Sequence, residues 1–68
     1  MTRKEALGLR PGDRVLWPAG AWGSAECRGT VRPIRGYNFR EIIWDDGQVT
    51  CVLDDAAMAC VVRDNEHN

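Results

Sequence analysis

The stretch that decides the reading is Ile42-Ile43-Trp44-Asp45-Asp46-Gly47-Gln48-Val49-Thr50-Cys51-Val52-Leu53. Two runs rich in β-branched and aromatic residues flank Asp45-Asp46-Gly47, and an Asp-Gly step tolerates the positive φ of a tight turn between antiparallel strands. The pattern predicts a hairpin, with Phe39 to Trp44 as one strand and Gln48 to Leu53 as its return.

Upstream, Ala25 to Pro33 sets Ala25, Cys27, Gly29 and Val31 on one face and Glu26, Arg28, Thr30 and Arg32 on the other. That period of two predicts a half-buried strand. Ile34 to Asn38, with Gly36 inside it, reads as a loop. Arg14 to Trp17 is a further strand, stopped by Pro18, and Pro18 to Ser24 is a Gly- and Ala-rich loop with a single large residue, Trp22, at its tip. At the N-terminus, Thr2 followed by Glu5 has the form of a capping box. It predicts one or two helical turns that lay Leu7 and Leu9 on the rest of the domain before Pro11-Gly12 turns the chain. Downstream, Asp54 caps a single helical turn through Met58, and Ala59 to Val62 is a short last strand. The polar tail after it is expected to fray. The division is therefore an N-terminal helical arm and turn (1–11), a β domain (12–62) and a tail (63–68). Inward candidates are Val15, Cys27, Val31, Ile43, Val49, Cys51, Leu53, Met58 and Val61.

Composition bounds the function. Sixty-eight residues make one small module, and 44% hydrophobic content exceeds that of a polar disordered chain. The apolar runs Ile42 to Trp44 and Ala56 to Val62 are too short to span a bilayer, so no membrane role is expected. Arg3 and Lys4 are followed by Glu5 rather than by an apolar run, unlike a secretory signal, and the expected compartment is cytoplasmic. The cysteines Cys27, Cys51 and Cys60 are odd in number and form no C-x-x-C pair, which points to small buried hydrophobes; a site of all three with His67 exists only on paper. The net charge of −1 hides an asymmetry. Residues 28–40 carry four arginines and no acid, whereas residues 41–68 carry seven acids against Arg63.

Five short strands laid flat would leave exposed edges, and closing the sheet removes them. Gly12-Asp13-Arg14-Val15, then Arg28-Gly29-Thr30-Val31, then Ile42-Ile43-Trp44-Asp45-Asp46-Gly47, followed by a strand, a helical turn and a strand, resembles the SH3-like small barrels, especially their Tudor and KOW branches. The likeness covers residues 12–62. It implies an all-β, five-stranded small barrel with a short N-terminal helical segment and a helical turn before the last strand. Members of that class serve as readers of methylated side chains, nucleic-acid clamps and protein docking modules, and rarely as enzymes. The type II dihydrofolate reductase barrels show a more distant likeness. Where that family has Val-Gln-Ile-Tyr, this chain has Val49-Thr50-Cys51-Val52, without the amide and the phenol, so the activity does not carry over.

The residue chemistry agrees with a non-catalytic module. The only histidine is near the terminus, Ser24 has no partner base at a recognisable spacing, and no glycine-rich loop cradles phosphate. Asp45-Asp46 and Asp54-Asp55 are accounted for by turn and capping chemistry. Neither a cofactor nor a metal is expected. The leading expectation is a surface built from Trp17, Trp22, Tyr37, Phe39 and Trp44 that meets a protein partner or a second copy, since three Trp exceed what so small a core needs. In Tudor-type readers such rings form a cage around a methylated cation; Cys27 stands where that pattern often has an aromatic. The plain alternative is that Trp17 and Trp44 pack against the barrel. A second functional expectation is nucleic-acid binding through Arg28, Arg32, Arg35 and Arg40, with Tyr37 or Phe39 stacking on a base; the plain alternative, which the low pI favours, is that these arginines form the solvated face of strands and pair with acids of the next strand. Association with further copies would supplement a thin core.

Overall fold

The computed structural model describes residues 1–64. Its elements are α1 (Arg3–Leu7), β1 (Arg14–Trp17), a 3₁₀ turn (Ala21–Gly23), β2 (Cys27–Pro33), β3 (Arg40–Trp44), β4 (Val49–Cys51), α2 (Asp55–Met58) and β5 (Val62–Arg63). The strands form one antiparallel sheet in the order β4-β3-β2-β1-β5. Among the described residues no β4–β5 pairing closes this ladder, so the architecture is a five-stranded antiparallel sheet with two short helices.

The hairpin forms where the Asp-Gly step lies, with a difference in detail. Trp44 and Gln48 close the loop through Trp44 N–H to Gln48 O (2.8 Å), and Gly47 N–H donates to Trp44 O (2.8 Å). Only Gly47 takes a positive φ, +93°. The loop is thus the three-residue kind, with glycine at its left-handed position.

The inward face is Val15 of β1, Gly29 and Val31 of β2, Ile42 and Trp44 of β3, and Val52 beyond β4. This corrects the parity expected for the decisive hairpin: Ile43 and Cys51 are half-buried, Leu53 is also half-buried, and Val49 is exposed. The reason is register. Residues directly opposite on antiparallel strands share a face, and Gly29 pairs with Trp44 while Val31 pairs with Ile42. The inward side of β2 therefore imposes the even-numbered positions on β3, and through the Ile42–Thr50 pair on β4. Thr50 is tolerable on that side because its Oγ1 accepts the Trp44 indole N–H at 2.8 Å. Cys27, also expected inside, is half-buried against the core.

The capping box forms as the Thr2/Glu5 spacing predicts: Glu5 N–H donates to Thr2 Oγ1, and Thr2 N–H donates to Glu5 Oε1. The arm packs on its own sheet. Ala6 and Leu9 enter the core with Val15, Val31, Ile42, Val52, Met58 and Val61, whereas Leu7, expected inside, is exposed. Arg3 pairs with Asp55 at 2.8 Å, and the Met1 ammonium donates to Met58 O and Val61 O, which ties α1 to α2. The last strand begins three residues later than expected. After α2, Cys60 N–H and Val61 N–H still bond back to Ala57 O and Met58 O, so the chain becomes extended only at Val62. The expected fraying tail and His67 lie, apart from Arg63 and Asp64, outside the described residues.

Candidate functional site: a tryptophan cleft at one end of the sheet

Trp17 is the last residue of β1 and pairs with Cys27 at the start of β2. Its indole N–H donates to Ala21 O (3.0 Å) and to Ser24 Oγ (2.6 Å), while Ser24 Oγ donates in turn to Ala21 O (2.7 Å). One ring thus pins the loop that follows it. Within this loop Trp22 adopts φ 53°, ψ 27°, the left-handed region, and it is the one non-glycine among the described residues to do so. A bulky residue there costs about 1–2 kcal/mol, yet its indole is 68% exposed. Burial does not repay that strain. What the conformation achieves is to stand the Trp22 ring against Trp17, 5.3 Å between centroids and 84° between planes.

Trp44 completes the group. It lies 6.1 Å from Trp17 at 85°. Only 6% of it is exposed, so it is a core residue whose ring also lines the floor of an open cleft of about 590 Å³. Gly29 makes room for it: a Cβ there would sit 2.6 Å from Ile42 Cγ2 and 2.7 Å from Trp44 Cε3. Besides the three indoles, Glu26, Asp46 and Asp54 line the cleft. Glu26 is paired with Arg28 at 3.0 Å. Asp46 and Asp54 accept only backbone N–H groups, from Gln48 and Ala57, and are without an ion pair among the described residues. Cys27 also lines the cleft. Perpendicular aromatic walls with a carboxylate rim form an environment that attracts a cation twice over, through the ring quadrupoles and through formal charge.

The five aromatics singled out from sequence divide into two groups. Tyr37 and Phe39 pair with each other, 5.3 Å apart, in the loop joining β2 to β3. This loop caps the opposite end of the hairpin from the 45–47 turn, so these rings do not join the tryptophans. The four arginines divide as well. Arg28 is bound to Glu26 and Asp64, and Arg32 to Glu41 at 2.6 Å. Arg35 and Arg40 flank Tyr37 and Phe39 with no carboxylate partner among the described residues, and Arg40 Nε is shielded from solvent without a hydrogen-bond partner. In the sequence the pairs Asp45-Asp46 and Asp54-Asp55 suggest at most a metal or general-acid site, with turn and capping chemistry the simpler account, and nothing local marks them as a rim to the tryptophans. Turn and capping roles do account for Asp46 and Asp54, but the roles leave one carboxylate oxygen of each uncommitted; Asp46 borders the cleft from the turn beside Trp44, and the β3–β4 pairing brings Asp54 to the same lining.

Among the described residues no cluster of three or more metal-ligating side chains occurs, the three cysteines are free, and no helix is long and apolar enough to cross a membrane. Comparison of the chain with protein-family models, with curated proteins and with solved structures yields no match.

Proposed function

We propose that this chain is a non-catalytic interaction module of the SH3-like, Tudor/KOW-like small-barrel kind, and that its tryptophan cleft takes a cationic side chain of a protein partner. The observation that carries the reading is the perpendicular set Trp17, Trp22 and Trp44 beside Asp46 and Asp54. A lysine, an arginine or a methylated form of either presents a cation that aromatic faces attract, worth about 0.5–2 kcal/mol per well-placed contact. The strained backbone at Trp22 supports it, since strain of this kind clusters at active sites and ligand clamps. The meander order of the strands supports the barrel-class assignment.

The second reading, nucleic-acid binding, draws on Arg35, Arg40 and the exposed Tyr37 ring. It ranks behind because Arg28 and Arg32 are neutralised within the chain.

Titration with short peptides that carry lysine, trimethyl-lysine or arginine, followed at the indole N–H resonances, tests the leading reading. Cationic peptides are expected to shift the Trp17 and Trp44 signals, acidic peptides to leave them in place, and Trp22→Ala to weaken binding about tenfold or more. Equal responses from the wild type and Trp22→Ala overturn it.

A further inference from the structure

We infer that one occupant of the cleft is the Arg35–Tyr37 loop of a second copy of this chain, giving head-to-tail self-association. The inference rests on the proposed reading of the cleft and names a partner for it.

The argument is one of charge left over at two opposite ends. Arg3, Arg14, Arg28, Arg32 and Arg63 are each matched by a carboxylate of the same chain. Lys4, Arg10, Arg35 and Arg40 are not so matched, nor are Glu5, Asp46 and Asp54, among the described residues. Lys4, Glu5 and Arg10 belong to the N-terminal arm; of the rest, Arg35 lies in the β2–β3 loop and Arg40 opens β3 at the same end, while Asp46 and Asp54 line the cleft at the tryptophan end. The six residue steps from Cys27 to Pro33 separate these ends by about 20 Å. That is further than one arginine side chain reaches, so a molecule cannot fill its own cleft. The loop also carries what an interface anchor needs: Tyr37 is 64% exposed beside Phe39, and arginine and tyrosine are the residues that most often dominate contacts. Arg35 entering the cleft would place a planar guanidinium between indoles and opposite Asp46 and Asp54, giving those two acids a counter-charge. Such a contact is heterologous, so it propagates along a row or closes a ring rather than stopping at a two-fold dimer.

Sedimentation at increasing concentration, on protein before and after nuclease treatment, tests this with three samples: wild type, Arg35→Glu and Trp22→Ala. Both substituted positions are exposed, and circular dichroism verifies that the fold is kept. The wild type is expected to gain mass with concentration, and each variant to associate about tenfold or more weakly. An equimolar mixture of the two variants is expected to stop at a one-to-one pair, because Arg35→Glu keeps a cleft and Trp22→Ala keeps a loop. A wild type that stays monomeric into the millimolar range, an Arg35→Glu protein that associates as the wild type does, or a mixture that forms no pair overturns the inference. So does association that vanishes on nuclease treatment, which assigns the loop to nucleic acid. Cationic peptides separate the two levels. If Arg35→Glu binds them while the wild type never associates, self-association falls and the cleft reading stands. If Arg35→Glu and Trp22→Ala respond to them equally, the cleft reading falls.

Discussion

Trp22 and Gly29 show how single positions shape the cleft from opposite sides. Trp22 occupies a left-handed conformation that disfavours any side chain. Replacing it by glycine or by alanine removes the same ring contact with Trp17, but only glycine also removes the backbone strain. Trp22→Gly is therefore expected to be more stable than Trp22→Ala by about 1 kcal/mol in urea denaturation, while both lose cation binding. Gly29 is the reverse case, a position where even one added carbon has no space. Gly29→Ala is expected to destabilise by about 1–3 kcal/mol through overpacking against Ile42 and Trp44, and to shift the Trp44 indole resonance, because the ring must move away from β2.

The β3–β4 hairpin shows what a one-residue change of parity does. Both Ile42 and Ile43 are apolar, and so are both Cys51 and Val52, so alternation along the hairpin does not say which set points inward. Pairing with β2 decides it, since Val31 faces Ile42 and Gly29 faces Trp44. The consequence is measurable: Ile42→Ala is expected to cost about 2–5 kcal/mol, and Ile43→Ala roughly half of that or less. Comparable losses at the two positions would contradict the register. The same parity brings Trp44 to the cleft floor and sends Val49 to the exposed side.

For the molecule as a whole, a core this thin leaves little reserve. A domain below about 70–80 residues draws roughly 3–5 kcal/mol from its core, and Leu9, fully buried, belongs to that core although it precedes the first strand. Leu9→Ala, at about 2–5 kcal/mol, is expected to leave much of the protein unfolded at 25 °C by circular dichroism. A variant that stays fully folded would mean that the arm is dispensable. Acid should act on several elements together. Glu5, Asp13, Asp45 and Asp55 are all held below the usual carboxylate range: Glu5 by the Thr2 N–H, Asp13 by the Arg10 N–H, Asp45 by the Arg14 guanidinium and Asp55 by the Arg3 guanidinium. Each folded-state value lies below its unfolded one, so the folded chain binds fewer protons. Their contribution is complete above the unfolded carboxylate range near pH 4 and is lost as pH falls through the lower folded values. Because Glu5, Asp45 and Asp55 are exposed and Asp13 only half-buried, the fall should be gradual and reduced by salt. Denaturation midpoints compared at pH 7, 5 and 3 should be nearly level for the first two and lower at the third.

Local chemistry along the chain was enough to reveal the capping box, the Asp-Gly hairpin, the alternation of β2, the helical turn behind Asp54 and a surplus of aromatic rings. Each of these depends on residues within a few positions of one another, where backbone preferences and side-chain reach operate without help from the rest of the fold. Three features came from strand pairing instead: the inward parity of β3 and β4, the grouping of Trp17, Trp22 and Trp44 apart from Tyr37 and Phe39, and which carboxylates pair with Arg28 and Arg32. The physical reason is the same for all three. Faces, clefts and ion pairs are relations between segments far apart in the chain, and in a run such as Ile42-Ile43-Trp44, where either parity would bury apolar surface, only a neighbouring strand can break the tie.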